Sequence, residues 1–138
     1  MKYIISLIVL LTTFTACTLE TSDNGDLDGM WQLYQLETLE DGNTTDMRSS
    51  GIYWSVQKDL MELTAKKGGA SNVLCRFNNT GNTLTLSDFY IGTTKVDDVS
   101  KLSFYYIENL EQVFNIELLK SWEMIIYTEN YKLYFRKY

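Results

Sequence analysis

The sequence predicts an all-β fold: an antiparallel up-and-down meander or barrel of about eight strands, with one short helix. Two observations carry this prediction. From Gly29 onward, apolar and polar residues alternate in one short run after another. The runs are separated by short turns, in which Gly, Asn and Asp supply the left-handed backbone conformations that tight turns need. The 138 residues include no proline, so no strand lacks a hydrogen-bond donor.

The first strand is predicted to run from Met30 to Thr38, and the later strands need it as a partner. Gly29 allows the chain to turn in tightly, and the Trp31 indole is large enough to cover one end of a small core. The strand leads into Asp41-Gly42, a dipeptide typical of a hairpin.

The remaining strands follow from the same alternation. Ile52, Trp54 and Val56 form one apolar face and predict the next strand. Further strands are predicted over Leu60 to Ala65, Val73 to Phe77, Leu84 to Leu86, Phe114 to Leu118, Glu123 to Thr128 and Tyr131 to Lys137, with turns at Lys58-Asp59, Asn79 to Asn82 and Glu129-Asn130 and a loop at Lys67 to Ser71.

The alternation breaks between Ile91 and Phe114, and this interval is where the helix is expected. Asn109 followed by Gln112 resembles a helix N-cap with a capping-box residue, and Leu110 and Phe114 have helical spacing. The pattern predicts a short helix packed on the sheet. A longer helix that continues to Leu119 is the competing interpretation.

The N-terminal residues have the organisation of a secretory signal. Lys2 precedes an apolar run, Ile4 to Leu11, which is too short to span a bilayer as a helix. Phe14-Thr15-Ala16-Cys17 then resembles a bacterial lipobox, in which signal peptidase II cuts before a cysteine that receives lipid. We expect residues 1–16 to be a lipoprotein signal peptide, residues 17–28 a lipidated flexible tether and residues 29–138 the folded domain. The alternative is an ordinary secreted protein with an unmodified Cys17.

The formal net charge of −6 is concentrated near the N-terminus, since no basic residue lies between Lys2 and Arg48. Nucleic acid is therefore an unsuitable partner, because phosphate binding requires clustered Lys and Arg. Glu20 and Asp23 resemble the acidic signal that directs lipoproteins of Bacteroides-type bacteria to the outer face. The expected location is the cell envelope, with the protein lipid-anchored at the outer membrane.

The cysteine count and the lack of histidine restrict the chemistry. With Cys17 assigned to lipid, Cys75 has no partner for an internal disulfide, and its place in an alternating run predicts a buried small apolar residue. Without histidine, acid–base catalysis would depend on carboxylates, and Asp97-Asp98 would point apart in an extended segment. We therefore expect no enzyme activity and no cofactor.

One stretch is a partial match to a calcium-binding loop. Asn24 to Gly29 places oxygen ligands at the first, third and fifth positions, but Gln35 stands where a bidentate Glu is required. The sequence therefore predicts no metal site.

Four stretches together carry a family resemblance: Gly29-Met30-Trp31, Tyr53 to Gln57, Leu84 to Tyr90 and Leu133 to Lys137. In this order, residues 29–138 resemble the small lipocalin-like lipoproteins of Bacteroides-type bacteria. The resemblance implies a lipocalin-like barrel in which a basic residue of the last strand lies over the tryptophan. Arg136 or Lys137 is the matching position, and we expect the Arg136 guanidinium to contact Trp31. Gly29, Trp31 and Arg136 are thus the predicted barrel-closing residues.

The first functional hypothesis is that the barrel binds a small apolar or amphipathic ligand in its mouth or interior. The alternating apolar residues that would line such a site are Trp54, Val56, Met61, Leu63, Phe77, Leu84, Leu86, Met124, Ile126, Leu133 and Phe135. The competing interpretation is that these residues are simply core.

The second hypothesis is a tethered interaction module that binds an envelope protein or a glycan through an aromatic sheet face. The ten tyrosines exceed what one small core must bury. The tyrosines considered for this face are Tyr105, Tyr106, Tyr127, Tyr131, Tyr134 and Tyr138. A filled barrel interior beside a large exposed aromatic patch would favour this hypothesis.

Overall fold

A computed structural model describes residues 23–138. The predicted signal peptide, Cys17 and the first part of the predicted tether lie outside the described residues. No helix between residues 23 and 138 has both the length and the apolar character needed to cross a membrane.

Ten antiparallel strands form one sheet over the described residues. They are β1 (Gly29–Thr38), β2 (Asn43–Asp46), β3 (Ile52–Gln57), β4 (Leu60–Ala65), β5 (Val73–Asn79), β6 (Thr83–Ile91), β7 (Thr94–Lys95), β8 (Gln112–Leu119), β9 (Glu123–Tyr127) and β10 (Tyr131–Lys137). Between residues 23 and 138, three 3₁₀ helices lie between strands or before them, at Gly25–Leu27, Arg48–Ser50 and Val99–Tyr105.

Eight of the strands close into a barrel. Around the ring their order is β1, β3, β4, β5, β6, β8, β9 and β10, and β10 pairs with β1. This closing ladder joins seven residue pairs, from Trp31 opposite Lys137 to Thr38 opposite Tyr131. The short strands β2 and β7 pair with β1 and β6 outside the ring. Closure leaves no open sheet edge around the ring.

The predicted all-β antiparallel barrel of about eight strands is confirmed. The predicted hairpin is also present, because β1 and β2 are joined by a turn over residues 39–42 in which Gly42 has φ 71°. β3, β4, β9 and β10 lie where alternation placed them, to within one residue at either end. Apolar alternation was the dominant signal because one face of every ring strand is buried.

The predicted short helix is present in the interval between Ile91 and Phe114, but its predicted position at Asn109 to Gln112 is wrong. Residues 109–111 form no helix, and β8 begins at Gln112 and excludes the longer alternative as well. The Gln112 side chain does accept backbone N–H groups, from Glu108 (2.8 Å) and Asn109 (3.2 Å), but it closes a loop before a strand. Of the helices between residues 23 and 138, the one that exceeds a single turn is the 3₁₀ helix Val99–Tyr105.

The end of the barrel at which β1 begins, called the base here, is closed by Trp31. Its side chain is fully buried, and the indole N–H donates to the Leu27 carbonyl oxygen (2.8 Å). Lys137 Nζ lies 4.3 Å from the centroid of the Trp31 ring. Gly29 makes room for this lysine: its φ is 111°, and a Cβ there would lie 3.2 Å from Lys137 Cδ.

The cation over Trp31 is therefore Lys137, and the prediction for Arg136 is wrong. Arg136 is exposed on the opposite face of β10, where its Nε donates to Gln32 Oε1 (2.8 Å). The reason is the period of two along a strand: Phe135 and Lys137 share the inner face, and the residue between them must point outward.

The opposite end, the mouth, is closed by residues 96–107, which we call the cover. Four of its side chains are buried: Val96, Leu102, Tyr105 and Ile107. Its 3₁₀ helix begins after Asp98, whose carboxylate accepts the Ser100 N–H (3.0 Å). The barrel is thus closed at both ends, by an indole at the base and by a chain segment at the mouth.

We expect Lys137→Met to lower the free energy of unfolding by about 1–2 kcal/mol. The substitution removes the cation from Trp31 and the hydrogen bonds that Lys137 Nζ donates to the backbone oxygens of Asp26 and Asp28. Arg136→Met, on the other face of the same strand, is the matched control and should cost less than about 0.5 kcal/mol. Urea unfolding measures both, and equal effects would contradict the assignment of Lys137.

Candidate functional site

The structure places ten of the eleven predicted lining residues inside the barrel, each between 0 and 4% exposed. They come from five ring strands, two each from β3, β4, β6, β9 and β10: Trp54, Val56, Met61, Leu63, Leu84, Leu86, Met124, Ile126, Leu133 and Phe135. Phe77 is the exception, since it is half-buried near the end of β5 beside the base. That these residues line a ligand stays a prediction.

An aromatic cluster occupies the interior. The Trp54 ring centroid lies 4.6 Å from that of Phe135 and 5.8 Å from that of Phe114, and all three side chains are fully buried. The interior is occupied by its own side chains, as in barrels of eight strands whose width just accommodates them.

The Trp54 indole N–H is the one buried side-chain nitrogen or oxygen within residues 23–138 that has no hydrogen-bond partner. Trp31 provides the contrast, since its indole N–H is paired with a carbonyl oxygen. A buried donor without a partner costs about 1–3 kcal/mol. Trp54 therefore supplies the interior with an available hydrogen-bond donor among otherwise apolar groups.

Sequence reasoning missed several interior residues, among them Phe114, Phe89 and Leu33. Phe114 belonged both to a predicted strand and to the helical spacing with Leu110, so the sequence did not assign it to the interior. Phe89 is displaced from simple alternation by a bulge in β6, where Asp88 has φ 51°. A bulge of this kind has no local sequence signature in this chain, whereas Leu33 follows Trp31 at the period of two and could have been assigned to the interior from the sequence.

The cover is attached to two loops of the mouth. The Tyr105 hydroxyl donates to the Ser71 carbonyl oxygen (2.8 Å) in the β4–β5 loop. In the same loop, a Cβ on Gly69 would lie 2.2 Å from the Phe104 ring, so the ring packs directly on the backbone. Burial raises the pKa of Tyr105 to about 12, so this hydroxyl keeps its proton and donates throughout the physiological range.

A second attachment lies at the β9–β10 turn. Asn130 Nδ2 donates to the Glu108 carboxylate (2.9 Å), and the rings of Tyr106 and Tyr131 meet edge to face at 5.3 Å. The cover is thus held by the packing of its four buried side chains and by these side-chain contacts, and one backbone hydrogen bond, from the Val96 N–H to the Phe89 carbonyl oxygen (2.8 Å), joins it to β6.

Glu62 and Asp88 are exposed, and residues 23–138 contain no group of three or more metal-ligating side chains. In the partial calcium loop, the Asp28 carboxylate accepts hydrogen bonds from the Asn24 N–H (2.8 Å) and side-chain amide (2.8 Å).

On the outer face of the barrel, Tyr34 has a raised pKa of about 12. Burial is the main cause, and the hydrogen bond that the Tyr34 hydroxyl donates to Glu123 adds to it.

The proposed aromatic face is not formed by the tyrosines that the sequence suggested. Tyr105 is buried, and of the other five only Tyr138 is exposed; Tyr106, Tyr127, Tyr131 and Tyr134 are half-buried. An exposed apolar strip lies elsewhere, on the outer face of β4, β5 and β6, and consists of Leu60, Leu74 and Tyr90.

The barrel, its basal indole and the lysine above it place the chain in a known family. A family model described as a lipocalin-like domain matches residues 11–138, and the chain belongs to this family. The resemblance deduced from the sequence is thereby confirmed. Lipocalin-like proteins generally bind or transport small molecules rather than catalyse reactions.

Two solved structures show the same fold. A lipocalin-like protein from Bacteroides uniformis is 22% identical, with a TM-score of 0.67 over 83% of this chain and 100% of that chain. An uncharacterized protein from Bacteroides eggerthii is 21% identical, with a TM-score of 0.62 over 80% of this chain and 98% of that chain. No curated protein matches the chain.

Cys75 is buried in β5, and burial raises the pKa of its thiol to about 12. We therefore expect a disulfide reagent at pH 8 to modify Cys75 of the native protein on the order of a thousandfold more slowly than in urea, because the thiolate is the reacting species. A chain with Cys17→Ser isolates this thiol. Native modification at the rate of the unfolded chain would contradict the buried position.

Proposed function

We propose that the chain is a lipid-anchored lipoprotein of the cell envelope whose barrel binds one small apolar or amphipathic molecule. A closed eight-stranded barrel and membership of the lipocalin-like family support ligand binding, because such a barrel can hold one small ligand in place of some of its side chains. The secretory pattern and the lipobox-like sequence before Cys17 support the anchor.

The observation that carries the ligand proposal is the unpartnered indole N–H of Trp54. A ligand with a carbonyl, hydroxyl or other acceptor oxygen would satisfy this donor and remove the cost of leaving it unpaired. The neighbouring Leu63, Phe114 and Phe135 side chains would contact an apolar body. The ligand class is therefore an apolar molecule that carries at least one hydrogen-bond acceptor.

The charge of the interior narrows this class. Among residues 23–138, the buried polar or charged side chains are Gln32 and Gln112, and neither carries a charge. An ion buried beside Trp54 would have no counter-charge, which is strongly unfavourable. The ligand is then neutral where it meets Trp54, and any charged group it carries lies at the mouth.

Space for the ligand requires movement, because side chains fill the interior. Met61 and Met124 are both fully buried, and their unbranched thioether side chains can adopt other rotamers at small cost. Entry is through the mouth, since the cover is held by side-chain contacts while the base is closed by the ladder, Trp31 and Lys137.

The direct test is a titration of tryptophan fluorescence with fatty acids, bile acids, haem and retinoids. We expect a saturable change with at least one class, and a roughly fivefold weaker Kd in Trp54→Phe, which loses one hydrogen bond worth about 1 kcal/mol. Trp122→Phe, at an exposed tryptophan, is the matched control and should leave Kd unchanged.

Two results of this titration would contradict the proposal. If no class gives a saturable response, the ligand proposal is wrong. If both tryptophan substitutions change Kd equally, the site does not include Trp54. Urea unfolding of each variant shows that the Trp54→Phe chain is folded when it is titrated.

Tyr105→Phe tests entry through the mouth. It keeps the ring but removes the hydrogen bond to Ser71, so we expect the cover to open about fivefold more often and the ligand to associate correspondingly faster in stopped-flow measurements. Tyr127→Phe, on the barrel wall in β9, is the control. Unchanged association in Tyr105→Phe, with binding otherwise intact, would show that the cover does not gate entry.

A second candidate function is binding of an envelope protein or a glycan through the strip formed by Leu60, Leu74 and Tyr90. The observation in its favour is that these exposed side chains are adjacent across β4, β5 and β6 and border clefts of 460 and 430 Å³. Leu74→Lys should then abolish any association of the anchored protein with envelope components while leaving ligand titrations unaltered.

A further inference from the structure

The two most exposed large apolar side chains between residues 23 and 138 belong to chain segments at the same end of the barrel. Tyr138 is 75% exposed and Trp122 is 63% exposed, whereas the next, Val113, is 47% exposed. Trp122 lies in the β8–β9 turn at the base, whereas Tyr138 only begins there: its backbone extends β10 at the base, and its ring packs along the outer wall toward Lys66. The Trp122 carbonyl oxygen accepts the Lys137 N–H (2.9 Å), and the Tyr138 N–H donates to the Met30 carbonyl oxygen (2.8 Å).

Neighbouring groups hold both rings in place. Lys120 Nζ lies 5.6 Å from the centroid of the Trp122 ring. The Tyr138 ring packs edge-on against Tyr53, with centroids 5.2 Å apart, and Lys66 Nζ lies 5.4 Å from its centroid. Backbone hydrogen bonds thus fix the position of each residue, and a lysine ammonium group lies beside each ring. Tryptophan and tyrosine in such settings are enriched where protein meets the membrane–water interface.

The described part of the chain also begins at the base. The Asn24 side-chain amide donates to the Lys58 carbonyl oxygen (2.6 Å) in the β3–β4 turn, and Lys137 Nζ donates to the Asp26 carbonyl oxygen (3.0 Å). Asp23 therefore lies beside the base. Cys17 precedes it by six residues, and six residues reach at most about 21 Å in any conformation.

We propose that the base is the membrane-facing surface of the protein, with Trp122 seated among the lipid head groups. The proposal rests on the lipid anchor at Cys17 and is independent of what the barrel binds. A lipid on Cys17 holds the base within reach of the bilayer, and the Trp122 ring supplies a second contact of the kind that makes a lipid anchor more stable.

The charge of the base identifies the kind of membrane surface. The charged residues around it include four carboxylates and four basic groups: Asp23, Asp26, Asp28 and Asp59 against Lys58, Arg76, Lys120 and Lys137. This balance gives no attraction to anionic head groups, so the occupant is a zwitterionic lipid surface. The mouth then points away from the bilayer, and a ligand reaches it from the aqueous side.

The test uses the full chain, produced with its acyl groups in a Gram-negative host and reconstituted in phosphatidylcholine vesicles that contain brominated lipid. We expect tryptophan fluorescence to be quenched by the brominated chains. Trp122→Phe should reduce this quenching to background, because Trp31 and Trp54 are fully buried in the protein. Tyr90→Phe, toward the mouth, is the matched control and should leave the quenching unchanged.

Three results would contradict the proposal, each for a different reason. If Cys17 is acylated by mass spectrometry and Trp122 is still not quenched by brominated lipid, the proposal is overturned while the anchor stands. If Cys17 carries no lipid, the anchor and this proposal fail together, and the ligand titration remains a separate result. If phosphatidylglycerol increases the quenching, electrostatic attraction holds the base and the assignment to a zwitterionic surface is wrong.

Discussion

The structure depends on the pairing of its first strand with its last. β1 is hydrogen-bonded to β10 along one edge and to β3 and then β2 along the other, so it is held on both sides over its whole length. Without this ladder, the ring would open into a sheet with two free edges and an apolar face in water. Closure places the inner residues of eight strands around one interior and gives that interior two ends with different properties.

The difference between the two ends is what relates the fold to function. At the base, Trp31, Leu27 and Lys137 are connected by a hydrogen bond, a cation–ring contact and backbone bonds that belong to the closing ladder. At the mouth, the cover depends on 3₁₀ hydrogen bonds, on the packing of its buried side chains, and on single hydrogen bonds from Val96 to Phe89 and from Tyr105 to Ser71. Because 3₁₀ geometry is poorer than a sheet ladder, the mouth is the weaker end and the route by which a ligand could enter.

Much of the fold could be predicted from the sequence because strand alternation is a strong local signal when one face is buried. The period of two also shows why the prediction for Arg136 was wrong. Because Leu133 and Phe135 face the interior, Lys137 lies on the inner face of β10 and Arg136 on the outer face. The cover was harder to predict. Its helix is a 3₁₀ helix, and the Asn109 to Gln112 motif that resembled a capping box instead closes a loop before β8.

The candidate site was predictable in outline, but its chemistry was not. Alternation identified Trp54 and Leu84 as inward-facing, yet whether an indole N–H finds a partner depends on backbone positions elsewhere in the barrel. Trp31 is paired because the Leu27 carbonyl oxygen lies 2.8 Å away, whereas Trp54 has no such neighbour. The bulge at Asp88, which brings Phe89 inside, is likewise a property of the assembled sheet.

Native-state hydrogen exchange of the folded domain tests the central claim most directly. If the β1–β10 ladder is the constraint on which the barrel depends, its amides should exchange only through global unfolding, while the amides of residues 99–107 exchange through a separate opening at lower free energy. Exchange of Gln32 and Arg136, which face each other in that ladder, by an easier opening than that of Tyr106 would contradict the account.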